Sequence, residues 1–195
     1  MINGIHILPF YPWDTDRGFS VLDYWQVDPR NGSWDDFSAL GEVFEILMVD
    51  LVLNHASIDN PIVQKALIGE EDFKDFVITF TEEDRPSESV LLKVVRARPY
   101  PVLTKYYVFR TKDGDLRATF DRPPDNIINT GYVWTTFSRP VREDDSVGTR
   151  QVDLDYSNPK VLLEFLRIIL FYIEKGARWI RLDAIGYLWK ELGTS

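Results

Sequence analysis

An α/β fold of parallel strands joined by helices is what this 195-residue sequence predicts, and two observations carry it. Three short, nearly continuous apolar runs read as strands buried on both faces of a parallel sheet: residues 5–10 (IHILPF), 46–53 (ILMVDLVL) and 179–185 (WIRLDAI). Helical patterns precede two of them, giving the strand–helix–strand rhythm of βαβ units.

The elements follow in chain order. After the first strand comes a polar stretch, Trp13-Asp14-Thr15-Asp16-Arg17-Gly18-Phe19-Ser20. Ser33 or Asp35 can then cap a helix running to about residue 45, ahead of the second strand. Residues 57–155 differ in kind. They mix a short helix (61–68), acidic stretches (70–75, 82–84), strand-like runs (90–95, 106–110) and turn signals at 112–115 (KDGD) and 122–125 (RPPD). So long a stretch is too much for a structureless loop and reads as an inserted subdomain. Asn158 and Pro159 then form an N-cap and first-turn pair for a helix reaching Lys175, and Gly176 stands where its stop belongs. The expected division is 1–56, strands and helix of one layer; 57–155, the insertion; and 156–195, a further helix and strand of that layer.

Polar residues gather at the C-terminal ends of the three strands: Asp16 after the first, Asp50, Asn54 and His55 in and after the second, Arg181 and Asp183 in the third. In a (β/α)₈ barrel the active site is built at that end from several strands. Each residue alone has a plainer explanation, since a lone strand-end Asp is more often a cap and a lone His more often structural. Arg181 and Asp183, two apart, share one face of their strand. They are either a structural ion pair or a nucleophilic carboxylate kept ionised and oriented by an arginine. Burying two charges without a purpose is costly, which favours the second reading.

Bulk properties narrow the function. The chain is 45% hydrophobic and 14% aromatic, which excludes a disordered protein and suits stacking on sugars or packing a barrel. With 31 acidic against 22 basic residues it carries a net −9, so nucleic acid is not an expected partner. No Cys is present, which removes disulfides and thiolate metal sites. The N-terminus lacks signal-peptide features, and the strongest apolar stretch, 161–173, is interrupted by Glu164 and Arg167 and too short to span a bilayer. A soluble, cytoplasmic protein with no membrane partner is expected.

Residues 50–55 (DLVLNH) resemble the first conserved region of the α-amylase superfamily, glycoside hydrolase family 13, and residues 176–184 (GARWIRLDA) resemble the second, which holds the nucleophile. The flanks 6–12 (HILPFYP), 16–24 (DRGFSVLDY), 133–138 (VWTTFS), 151–156 (QVDLDY) and 187–195 (YLWKELGTS) are similar to the sucrose phosphorylase-like branch, the last most like members that phosphorolyse glucosylglycerate. Similarity is loose over residues 60–131, and the stretch 139–150 looks longer than that branch has there. The resemblance implies a partial (β/α)₈ barrel, family strands two to four. It implies Asp183 as nucleophile, Arg181 as its partner, His55 on the donor glucose, Asp16 on its far hydroxyls, Asp50 as a supporting carboxylate, and Phe19 and Phe137 as apolar walls. In calcium-containing relatives the Asn of the first region binds the metal. This branch generally lacks that calcium, so Asn54 is expected as a hydrogen-bonding support, with no metal and no cofactor.

Retaining chemistry needs a second carboxyl about 5 Å from the nucleophile. The resemblance places that Glu on the next barrel strand, and Glu174 and Glu191 are poor substitutes for it. A fragment of a larger enzyme, inactive alone, is therefore expected. The implied reaction is phosphorolysis of sucrose or a related α-glucoside, with inorganic phosphate as co-substrate. The alternatives are a hydrolase or transglycosidase, and a non-catalytic sugar-binding remnant. A nucleotide-binding doubly wound domain fits the rhythm but lacks a Gly-rich phosphate loop.

Overall fold

The computed structural model describes residues 2–95, 97, 102–120, 123–137 and 150–192. Their elements, in chain order, are β1 (Gly4–Ile7), α1 (Trp34–Val43), β2 (Ile46–Val52), β3 (His55–Ser57), α2 (Pro61–Leu67), β4 (Thr79–Phe80), α3 (Glu88–Leu91), β5 (Leu103–Arg110), β6 (Leu116–Thr119), β7 (Ile127–Trp134), β8 (Gln151–Asp153), α4 (Pro159–Glu174) and β9 (Trp179–Asp183). Of the stretches singled out in the sequence, 138–149, 121–122 and 193–195 lie outside the described residues.

The three anticipated strands form one parallel sheet in the order β1-β2-β9. Its register sorts the side chains, because residues paired across parallel strands point to the same side. Ile5, Ile7, Leu47, Val49, Leu51, Ile180 and Leu182 share one face; His6, Met48, Asp50, Val52, Trp179, Arg181 and Asp183 share the other. The expectation of strands buried on both faces is met by β2 from Val49 to Val52, with Met48 only partly buried. It is not met by β1 or β9, which are the edges of this sheet among the described residues and stay largely open.

Two strands are shorter than the sequence suggested, each for a local reason. β1 stops at Ile7 rather than Phe10: Pro9 has no N–H to give a ladder. β9 stops at Asp183 rather than Ile185, because Ala184 adopts a left-handed conformation (φ 55°) and turns the chain away.

The helices begin where the capping residues put them. Ser33, not Asp35, caps α1, in a reciprocal box with Asp36. Asn158 caps α4 by accepting from the Lys160 N–H, and Gly176 (φ 104°) closes it. On α4, Val161, Phe165, Ile168 and Tyr172 form the buried stripe. Together with Phe10, Tyr11, Tyr24, Trp34 and Phe37 they make an aromatic core, with ring centroids at 4.6 Å for Phe10–Phe37 and 5.2 Å for Tyr24–Phe165. The opposite side of α4 leaves Leu162, Leu163, Leu166 and Leu170 exposed.

Residues 57–155 contain a four-stranded antiparallel sheet, β4-β7-β5-β6, with a hairpin at Gly114 (φ 97°), where the KDGD signal stood. The run 90–95 is not a strand. Ser87 sits at the N-cap and Glu88 in the first turn of α3, and these starting signals outweigh the β preference of Val90. β3 and β8 pair antiparallel in a sheet of their own, bringing the two ends of this region together.

Candidate active site

The polar face of the parallel sheet carries a chain of charges. Asp50, fully buried on β2, stands opposite Arg181 on β9. Arg181 Nη1 donates to both Asp50 oxygens, at 3.1 and 3.0 Å, while its Nη2 lies 3.2 Å from Asp183 Oδ1. A second donor reaches Asp50 from β1: His6 Nε2 is 2.9 Å from Oδ1. The guanidinium is thus shared between two carboxylates and is held mainly by Asp50.

Arg181 does pull the Asp183 carboxyl toward its ionised form, yet burial pushes it further the other way and the negative Asp50 adds to the push, so it sits above the ordinary carboxylate range. Asp183 is a partly desolvated carboxylate with one protein ion pair, at the point where Ala184 bends the chain out of the strand.

Asn54 and His55 belong to a second, sealed group. His55 is buried, and its Nε2 lies 3.1 Å from the Phe19 carbonyl. A carbonyl only accepts, so the proton is assigned to Nε2, which leaves Nδ1 to accept from Asn54 Nδ2 at 3.2 Å. Burial holds the imidazole neutral, its pKa lowered to about 4. Asn54 Nδ2 also donates to the fully buried Asp153 at 3.0 Å, and Thr136 donates to Asp153 from its backbone N–H and its hydroxyl.

The cation of this group is Lys190, whose ammonium meets Asn54 Oδ1 at 2.8 Å, the Tyr187 carbonyl at 2.6 Å and Asp153 Oδ2 at 3.1 Å. Among the described residues no three His, Cys, Asp or Glu side chains converge to hold a metal ion. Lys190 instead supplies a positive charge to these oxygens from within the chain. Sequence reasoning gave no role to Lys190, Asp153 or His6. The first two lie in the runs 187–195 and 151–156, and His6 could have been found by its strand parity with Asp50.

The remaining anticipated residues surround these groups. Asp16 lies in the loop after β1, where Asp16, Arg17 and Gly18 are all left-handed (φ 59°, 53° and 104°). Left-handed backbone is costly for Asp and Arg, roughly 1 kcal/mol or more each. A Cβ on Gly18 would lie 2.6 Å from Pro9 Cβ, so only glycine fits there. The loop is closed by a bridge between Trp13 and Val21, and Asp16 accepts from Gln151 at 2.9 Å. The negative charge of Asp16 raises the pKa of both Asp183 and His55. Phe19 contributes its carbonyl to His55 while its ring packs partly buried against the core. Phe137 lies over His55 at 4.7 Å and against Tyr187 at 5.3 Å. His55 therefore meets its neighbours through both nitrogens and its ring face.

Comparison with known proteins matches the α-amylase catalytic domain family over residues 1–194. A glucosylglycerate phosphorylase of Spirochaeta thermophila is 44% identical over 193 residues, covering 99% of this chain and 27% of the relative. A sucrose phosphorylase of Agrobacterium vitis is 33% identical, covering 100% of this chain and 36% of that protein. Among solved structures, sucrose 6F-phosphate phosphorylase from Thermoanaerobacter thermosaccharolyticum matches with a TM-score of 0.74 and 29% identity, over 99% of this chain and 36% of that one. The chain thus spans about a third of the length of these relatives.

Proposed function

The chain belongs to the α-amylase family, and from that premise we propose that the whole protein is a retaining glycoside phosphorylase acting on glucosylglycerate or a related α-glucoside. The observation that supports it best is the polar sheet face, where Asp183 ends β9 with an ion pair to an arginine that Asp50 anchors. In this reading Asp183 attacks the anomeric carbon and forms a β-glucosyl ester as the acceptor group leaves. Inorganic phosphate then attacks that carbon, breaks the ester and releases α-glucose 1-phosphate with Asp183 restored.

Asp16 takes the far hydroxyls of the donor glucose, and Phe137 walls the ring. The donor-glucose role expected of His55 requires its Nε2 to leave the Phe19 carbonyl, and Asn54 and Asp50 support the site. The acid that protonates the leaving oxygen is assigned to a carboxyl outside these 195 residues, since Asp50 is committed to Arg181 and His6. Residues 57–155 are proposed as the family's inserted subdomain, between barrel parts at 1–56 and 156–195, and the protein as cytoplasmic.

The test is release of glucose 1-phosphate by the full-length protein from a panel of α-glucosides, glucosylglycerate and sucrose among them, with and without phosphate and with Asp183→Asn as control. Phosphate-dependent release lost in the variant supports the reading. Release of free glucose independent of phosphate overturns it in favour of a hydrolase.

A further inference from the structure

We infer that His6 is a positioning residue for the reaction, acting on Asp183 through Asp50 and Arg181. The inference rests on Asp183 being the nucleophile. His6 is on the strand farthest from Asp183 in the sheet order, yet on the same face and in one connected chain with it. Its Nε2 reaches Asp50 Oδ1 at 2.9 Å, the oxygen that Arg181 Nη1 also approaches at 3.1 Å.

A fully buried carboxylate demands donors, and Asp50 has two sources, one from each flanking strand. Arg181 has two claimants, Asp50 and Asp183. The donor from His6 lightens what Asp50 asks of Arg181 and leaves guanidinium charge for Asp183. Remove it, and Arg181 is the donor that remains to a buried anion among the described residues. The arginine is then drawn to Asp50, and Asp183 loses part of the one positive partner that offsets its burial.

The charged and titratable groups around Asp183 come from every neighbouring element: Arg181 on its own strand, Asp50 on β2, and Asp16 and Tyr11 from the segment after β1. Among the described residues His6 meets this set through Asp50. Its side chain is 30% exposed, so packing alone gives weak reason for an imidazole there.

The experiment compares two variants in the full-length protein. His6→Gln keeps a donor at the reach of Nε2, and His6→Met keeps bulk but donates nothing; His6→Asn, too short to reach Asp50, replaces Met should that variant not fold. The Asp183 carboxyl is followed by carbon-13 NMR across pH, assigned by Asp183→Asn, together with kcat and KM.

In His6→Met, Asp183 is expected to titrate at higher pH than in the parent and kcat to fall roughly tenfold with KM little changed, while His6→Gln stays near the parent in both. Unchanged Asp183 titration in His6→Met overturns the inference, as does a Gln variant that behaves like Met. The titration reads Asp183 without turnover. A protein that releases no glucose 1-phosphate would therefore sink the proposed reaction while leaving the His6 coupling decided on its own readout.

Discussion

Two groups of side chains stand at the C-terminal end of this sheet, built from the same materials and differently completed. Each has an acidic anchor that is fully buried, one cation and one histidine: Asp50, Arg181 and His6 in the first, Asp153, Lys190 and His55 in the second. In the second the lysine is nearly inaccessible, with 7% of its side chain exposed, and it spends all its named contacts on Asn54, Asp153 and Tyr187. In the first the arginine is 45% exposed and extends past its anchor to a second carboxylate, Asp183, which keeps some exposure. The lesson is that a saturated buried network fixes geometry, whereas a carboxylate with one partner and a desolvated setting retains chemical potential.

The comparison breaks most visibly at Asp183. Asp183→Asn is expected to lower kcat by on the order of 10⁴-fold or more. Urea unfolding should show no loss of stability, because the fold disfavours the ionised carboxyl. A variant clearly less stable than its parent would move Asp183 into the structural group.

Next in size is Lys190→Met. It strands Asp153 in the interior without its cation, and breaking such a buried pair costs about 3–5 kcal/mol. Lys190→Met with Asp153→Asn should recover much of that loss, measured as the shift in urea midpoint. A single variant within about 1 kcal/mol of the parent would show that the network is not a stabilising one.

His55 gives a smaller effect whose sign is fixed. Its pKa is about 4 in the folded chain against an ordinary 6.5, so between these values the unfolded chain binds a proton that the folded chain does not. Stability is therefore present above pH 6.5 and is lost as pH falls toward 4, by roughly 3 kcal/mol in all. Unfolding measured at pH 7 and pH 4.5 in the parent and in His55→Gln checks this. The histidine part of the slope should disappear in the variant, and an equal slope in both would refute it.

Asp183 supplies the gentlest test. Its raised pKa means that less of it is ionised at a given acidic pH. The acid limb of kcat/KM is expected at higher pH than for an unperturbed carboxylate. A limb at or below the ordinary range would show that Arg181 outweighs burial after all.

How much of this could be read from the sequence follows from the distances involved. Arg181 and Asp183 lie in one strand, where a period of two puts them on one side, and Asp50 sits in an apolar run that made its charge conspicuous. The parallel sheet and α4 were legible for the same reason, through local periodicity and the Asn158-Pro159 start.

The sealed network was not, because its contacts join positions 99 and 136 residues apart, Asn54 to Asp153 and to Lys190. No local pattern encodes such a pairing. The run 90–95 misled because β-branched and leucine residues suit either state, and its start falls in the short helix α3. The left-handed run at Asp16 and Arg17 was invisible as well, since only Gly18 advertised it.

The most direct measurement is to trap the covalent intermediate. The full-length protein, reacted with a fluorinated glucosyl fluoride that forms the glucosyl ester quickly and releases it slowly, is digested and the peptides are sequenced by mass spectrometry. The expected result is one fluoroglucosyl group on Asp183, absent in Asp183→Asn and discharged by phosphate as the fluorinated glucose 1-phosphate. A label on Asp50, Asp16 or any other carboxyl, or turnover with no label at all, would contradict the division between a chemical and a structural group.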